Sequence, residues 1–271
     1  MSKPTFLTLP AELRLQIISY LLPQPPESGF LQLNSPNAAL GLILDAAYSS
    51  SQHISLLLTC RQFYADFTPL AFSSTTFLII DTFTPILQRF FTLQAHQRQA
   101  LRKLAFVAGA RQFREMCQWE KWPFDMASLA LDELTIVLHR SAHWHYPSDF
   151  TSDIVSLLRR LRQVRKLKFV RNGANVKGFF KTWYNRLVGL MLKEDHRQRY
   201  DVPGGPYLED TWWEWGYDEN EQSFELRAVE RKPVLEEGEY MEWVKPRVQR
   251  LVRDMEDEEE DPDPRARNGW P

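Results

Sequence analysis

Apolar and polar positions recur with different periods along the chain, and the changes of period divide it into regions. Near the start, "FLTLPAELRLQIISYLLP" (Phe6–Pro23) places Leu13, Ile17 and Leu21 at i, i+4 and i+8. Leu15, Ile18 and Leu22 form a second row beside them. The spacing predicts a helix whose apolar face is wider than one small core requires, so that it serves a core and a partner together. Pro10 suits the first helical position and Glu12 the positive end of the helix dipole, while Thr8 is the nearest capping oxygen because Leu9 offers none. A second helix is predicted over "ISLLLTCRQFYADFTPLAF" (Ile54–Phe72). One face carries Ile54, Leu57, Leu58, Tyr64 and Phe67, and a neighbouring face carries Leu56, Cys60 and Phe63. Pro69 is expected to end or bend it. The insert between the two, Pro23–His53, opens as a loop with "PQPPESG", and its "AALGLILDAAYSS" leaves room for an extra helix.

From Ser74 the period falls to two. "STTFLII" (Ser74–Ile80), "LRKLAFV" (Leu101–Val107), "LDELTIVL" (Leu131–Leu138) and "VRKLKFV" (Val164–Val170) alternate as strands do, roughly every 30 residues. Helical patterns lie between them at 84–99, 111–119 and 150–162. The last follows Ser148 and Asp149, good capping residues, and ends in arginines. Strand–helix–strand units of this length close as parallel pairs, so the segments at Leu101, Leu131 and Val164 are expected side by side and parallel with helices outside. The architecture is similar to irregular leucine-rich repeats, although their asparagine ladder is missing; an ordinary α/β domain fits the pattern equally well.

"VPGGP" (Val202–Pro206) reads as a break. "TWWEWGYDENEQSFELRAV" (Thr211–Val229) reads as a β-hairpin turning at "DENEQ", with Trp213, Trp215 and Tyr217 on the packed face and Trp212 beside Glu214 on the other. A charged helix follows, bent at Pro246, and "EDEEEDPDPRARNGWP" is too polar to pack and is expected to be disordered.

Composition narrows the function. Apolar residues at 44% support a real core, and a formal net charge of -2 argues against a general nucleic-acid binder. No apolar run reaches the length of a membrane helix, and the N-terminus lacks the features of a signal peptide. Cys60 and Cys117, the two cysteines of 271 residues, make no disulfide framework, so a reducing cytoplasmic or nuclear setting is expected.

The joined stretches "LPAELRLQIISYLL" and "LLLTCRQFYADFTPLAF" resemble the F-box-like proteins of filamentous fungi, over about the first quarter of the chain. The resemblance implies a three-helix module that docks on the adaptor subunit of cullin–RING ubiquitin ligases. The positions matching its partner-binding residues are Leu9, Pro10, Leu13, Ile17, Leu21, Leu58, Cys60, Arg61 and Phe63. The long insert departs from the family pattern, which has a short connection there, and bears on the docking surface.

Motifs for chemistry are sparse. His139, His143 and His145 have tempting spacing but follow a strand, precede Pro147 and have no local cysteine or acid cluster, so no metal is expected. Cys117 lies near Trp119 and Trp122 and reads as a buried thiol. Nucleophile elbows, Walker loops and dinucleotide fingerprints are missing, and no catalysis or cofactor is expected. Arg159–Lys181 holds nine lysines and arginines and no acid. This run is either a patch for nucleic acid or an acidic partner, or a solvated face neutralised by the acidic C-terminal third.

The expected fold is mixed α/β: an F-box-like helical module over 1–73 with its insert at 23–53, a leucine-rich-repeat-like body over 74–203, a hairpin and helix over 204–256, and a disordered acidic tail over 257–271. The expected role is a non-enzymatic substrate receptor of a cullin–RING ligase. A scaffold protein whose first helices only cap the repeat core, and a regulator linked to nucleic acid through the basic run, are the alternatives. The density of tryptophans in the hairpin assigns a candidate recognition surface to Trp212, Lys177 and Lys181.

Overall fold

The computed structural model describes residues 5–22, 24–25, 28–33, 41–81, 86–117, 129–138, 150–174, 180–206 and 211–260. Its centre is a mixed six-stranded sheet with helices packed against one face, and a separate two-stranded sheet lies in the N-terminal part.

Helix α1 spans Ala11–Leu21 and is led by a 3-10 turn at Phe6–Thr8. Pro10 stands at its N-cap rather than at the first helical position, and the Thr8 hydroxyl bonds back to the Thr5 carbonyl (2.7 Å) instead of capping α1. The insert holds β1 (Phe30–Leu33) paired antiparallel with β2 (Gly41–Leu44), and a single helical turn α2 (Ser50–His53). The extra helix expected over "AALGLILDAAYSS" is therefore not formed across Gly41–Leu44, where the chain is strand. A 3-10 turn at Ser55–Leu58 leads to α3 (Arg61–Ser74), which runs through Pro69 instead of ending there.

The body begins with β3 (Thr76–Ile79). The single helix expected over 84–99 is two short ones, α4 (Ile86–Phe91) and α5 (Ala95–Ala100). Then come β4 (Lys103–Ala108), α6 (Ala110–Cys117), β5 (Glu133–Leu138), α7 (Thr151–Arg160) and β6 (Lys166–Arg171). The four strands pair parallel in sequence order, as the strand–helix–strand spacing predicts for the segments at Leu101, Leu131 and Val164. Leu104, Phe106, Leu134, Ile136, Leu167 and Phe169 are buried in the main hydrophobic cluster together with Ile154, Leu157 and Leu158 of α7.

A long helix, α8 (Phe180–His196), occupies a region with no clear sequence reading. It buries Trp183, Tyr184, Leu187, Val188, Met191 and Leu192. The hairpin β7 (Thr211–Asp218) and β8 (Ser223–Glu230) does more than pack on the body: β8 pairs antiparallel with β6, so the hairpin extends the sheet and β7 becomes its edge. Stacking of Phe169 on Phe224 (4.7 Å between centroids), with Trp183 edge-on to both, ties β6, β8 and α8 together. Helix α9 (Glu237–Glu260) closes the chain. It carries Pro246 inside and continues past the start of the expected disordered tail. Glu258 is buried and accepts a 2.6 Å bond from the Thr182 hydroxyl. Residues 261–271 lie outside the described residues.

The insert does a definite structural job. An edge strand leaves unpaired backbone groups that invite a foreign strand. On the outer edge of β3, the Thr76 N–H donates to Gln24 Oε1 (3.0 Å), the Tyr48 and Ser50 hydroxyls donate to the Thr76 carbonyl (2.6 and 2.9 Å), and the Leu78 N–H donates to Ser50 Oγ (3.3 Å). At the far side of the sheet, the Leu42 N–H donates to the Glu221 carbonyl (2.9 Å) and the Leu44 N–H to Asn172 Oδ1 (2.9 Å). Gly41 permits this approach. Its φ of 137° is one that side chains rarely adopt, and a Cβ there would stand 3.3 Å from the Gln222 side chain.

A buried ion pair fastens the last helix. Arg199 Nε donates to Asp195 Oδ1 (2.9 Å), and both side chains are almost fully buried. The Tyr240 hydroxyl donates to Asp195 Oδ2 (2.7 Å), and Arg199 Nη1 donates to the Pro233 carbonyl (3.0 Å). Burial, and then the Asp195 charge, push the Tyr240 hydroxyl pKa up, so it stays a donor. Asp195→Ala leaves a buried guanidinium without its counter-charge and is expected to cost about 3–5 kcal/mol in urea unfolding. Tyr240→Phe, which removes one bond to a charged group, should cost about 1.5–3 kcal/mol. A loss under about 1 kcal/mol for Asp195→Ala would show that the pair does not hold α9 in place.

Candidate docking surface

The N-terminal module is built around an arginine. Arg14 is buried on α1; its Nε and Nη2 donate to Asp66 Oδ2 on α3 (3.1 and 2.6 Å), and its Nη1 donates to the Leu7 carbonyl (3.3 Å) and to that of Leu9. One side chain thus joins α1, the turn before it and α3. Ile18, one turn further along, enters a cluster with Leu57, Phe67, Ala71 and Phe72, against which Leu22 packs half-buried. The inward line of α1 is therefore Arg14, Ile18 and Leu22. Leu13, Ile17 and Leu21 lie one residue away, about 100° around the helix.

That rotation decides what the module shows to solvent. Leu13 is 46% exposed, Ile17 40% and Leu21 72%. Tyr20 beside them is 74% exposed, and Leu58 on the 3-10 turn before α3 is 86% exposed. Apolar residues scattered singly on a surface are ordinary; a row of three at helical spacing is a continuous strip. Burying such a side chain is worth about 1.5–3 kcal/mol, which only another surface can supply here.

The remaining positions picked from the sequence divide. Pro10, Cys60 and Arg61 are exposed and Leu9 is half-buried. Cys60 caps α3, its Sγ accepting from the Phe63 N–H (3.5 Å). Phe63 packs inside the module, edge-on to Phe6 (5.5 Å between centroids) and to Phe67 (5.1 Å). The module also adjoins the first strand of the body: Phe72 meets Phe77 at 5.1 Å, and Ala100 is buried in the same cluster.

The surface assigned to Trp212, Lys177 and Lys181 is not assembled. Trp212 is 6% exposed, covered by Lys232 and by Trp243 of α9, which meet its ring where alternation alone predicts an open face. Lys181 lies at the other end of the hairpin, 5.9 Å from the Tyr217 ring and 3.8 Å from Glu219. Lys177 lies outside the described residues. Trp213 is core as expected, its indole N–H donating to the Leu158 carbonyl (3.0 Å).

The basic run is largely neutralised. Arg159 pairs with Glu194 (2.6 Å), Arg165 with Asp132 (3.2 Å), Lys166 with Glu133 (2.5 Å) and Lys168 with Glu221 (2.6 Å). Asp132 and Glu133 stand at the start of β5, while Glu194 lies in α8 and Glu221 in the last hairpin, so the neutralisation comes from the body as well as from the C-terminal third. Burial pushes the Cys117 thiol up to about 12, with the Asp153 charge adding to it, so Cys117 stays a protonated thiol at neutral pH. Among the described residues no group of three His, Cys, Asp or Glu side chains could hold a metal, and His139, His143 and His145 lie outside them. No protein-family model, no curated protein and no solved structure matches the chain.

Two measurements test this geometry. Leu21→Gln and Leu58→Gln should each change unfolding stability by no more than about 0.5 kcal/mol, whereas Ile18→Ala should cost about 2–5 kcal/mol. The folded protein should react with a thiol-specific disulfide reagent at Cys60 and not at Cys117, and at both in denaturant. Fast reaction at Cys117 in the folded state would contradict its burial.

Proposed function

We propose that the chain is a non-enzymatic interaction protein that docks through its N-terminal module on the adaptor subunit of a cullin–RING ubiquitin ligase and presents a protein substrate to it. The exposed strip of Leu13, Ile17 and Leu21 on α1, together with Leu58, carries this reading. Seven of the nine candidate partner residues are exposed, these four apolar ones among them, while Arg14, Ile18, Leu57 and Phe67 close the module's own core. In this reading the chain performs no chemistry and accelerates ubiquitin transfer by proximity alone. The body, a row of parallel strands each followed by helix, is read as leucine-rich-repeat-like and supplies the rigid support. No helix among the described residues is long and apolar enough to cross a membrane. A cytoplasmic or nuclear setting, where such ligases work, belongs to the same proposal.

A second reading has its own observation. The module's cluster runs into the first strand through Phe72, Phe77 and Ala100, as a cap on a repeat body does, since a repeat's end would otherwise expose apolar surface. Capping uses the inner residues and docking the outer ones. A scaffold that caps without docking is the alternative.

The distinction is made with purified full-length chain and purified adaptor. The wild type should co-elute with the adaptor. Leu13→Glu, Leu21→Glu and Leu58→Glu combined should abolish co-elution with the melting temperature held. Binding retained by the triple variant, or a folded wild type with no affinity for the adaptor, overturns docking and leaves the cap.

A further inference from the structure

A groove of about 660 Å³ lies between the hairpin and α9. Leaving β8, the chain carries Lys232 between two indoles: its Nζ is 4.3 Å from the Trp212 ring centroid and 3.0 Å from that of Trp243. The Arg247 guanidinium lies 3.9 Å from the Trp243 centroid. Arg250, nearly one turn further along α9, lines the same groove, and Trp215 contributes a half-buried ring.

The charge balance here is unlike that of the surrounding fold. Arg159, Lys166, Lys168 and Arg199 each have a carboxylate within 3 Å. Lys232, Arg247 and Arg250 are in no ion pair among the described residues. They also act against one another: burial, and then the Arg247 charge, push the Lys232 ammonium down to about 8, and burial with the Arg250 charge lowers the Arg247 guanidinium. Glu214 and Asp254 line the groove without forming an ion pair to these cations among the described residues, and the charges of Asp195 and Glu214 offset only part of what lowers Lys232. Indole faces hold a cation without neutralising it, so the three positive charges converge on one concavity; Arg247 Nη1 donates to the Trp243 carbonyl (2.7 Å), which leaves its other guanidinium N–H groups for an anion.

We propose that this groove binds a short acidic segment of a partner protein, its carboxylates meeting Lys232, Arg247 and Arg250 and an apolar side chain lying on the Trp215 and Trp243 rings. Carboxylates would relieve the repulsion among the three cations and form charge-assisted hydrogen bonds with them. The tryptophan rings offer the large, rigid apolar area that binding hot spots use. A nucleic acid fits less well: past Asp254 at the rim of the groove, α9 runs on into Glu256, Asp257, Glu259 and Glu260, and this acidic stretch repels an extended polyanion more than a short peptide seated on Lys232, Arg247 and Arg250. The groove stands on its own residues and does not depend on adaptor docking. If the receptor reading holds, this is where a substrate would be held.

The test uses the full-length chain without adaptor and fluorescence anisotropy of a fluorescein-labelled peptide, Glu-Asp-Glu-Phe-Glu-Asp. Its counterpart with lysine for every acid and a single-stranded DNA oligonucleotide are run beside it. The acidic peptide should bind saturably and the lysine peptide should not. Arg247→Glu with Arg250→Glu should weaken binding about ten-fold or more. Both residues are exposed, so the fold is retained, which an unchanged melting temperature verifies. Lys193→Glu, an exposed lysine of α8 outside the groove, should leave affinity unchanged. No binding of the acidic peptide overturns the proposal. So does an equal loss with Lys193→Glu, which would mean diffuse attraction, or tighter binding of the oligonucleotide than of the peptide.

Discussion

The buried pair of Asp195 and Arg199 is the constraint on which the C-terminal half depends. Two charges removed from water are costly unless every polar atom around them finds a partner. Here the partners come from three places: the end of α8, the Tyr240 hydroxyl on α9, and the Pro233 carbonyl on the segment between β8 and α9. The requirement to satisfy both charges fixes α9 against α8 and sets the path of the linker. Lys232 is on that linker and Trp243 is on that helix, so the same pair also sets the walls of the cationic groove.

The sheet imposes a second requirement. Parallel strands need cover on their faces and edges. Helices α6, α7 and α8 serve one face, while the hairpin β7–β8 ends the parallel run by adding antiparallel to β6. The first edge is closed by side chains of the N-terminal insert on the backbone of Thr76 and Leu78. A stretch that departs from the F-box pattern is thereby part of what holds the body together, and it leaves Leu13, Ile17 and Leu21 uncovered.

The strands were the most legible part of the sequence because period-two alternation is local. Leu104/Phe106, Leu134/Ile136 and Leu167/Phe169 declare one buried face without reference to anything distant. The module's wide apolar face was also legible, but its inward line was not. Arg14 belongs to it, and a basic residue enters a core only when a partner such as Asp66, far along the chain, neutralises it. Helix α8 went unread because it is buried nearly all round, with Thr182, Asn185 and Asp195 among its buried residues, which erases the two-faced pattern. Trp212 was misplaced because alternation says which side of a strand a ring takes and nothing about a later helix arriving there. Glu258 sits in a run that reads as solvated, and only its bond from Thr182 reveals that it is packed.

The insert hairpin also has a consequence for the order in which the molecule assembles. Its Leu44 N–H waits for a side chain 128 positions further on, and Leu42 waits for the turn of the final hairpin. During synthesis these residues emerge among the first and find their partners among the last. Contacts of such long sequence separation slow folding and leave early segments exposed. Until the hairpin β7–β8 is in place, β2 is held at Leu44 by Asn172 but lacks its partner for Leu42 at Glu221. The N-terminal segment therefore acts as a latch on the finished body, and damage near Glu221 should be felt at the opposite edge of the sheet.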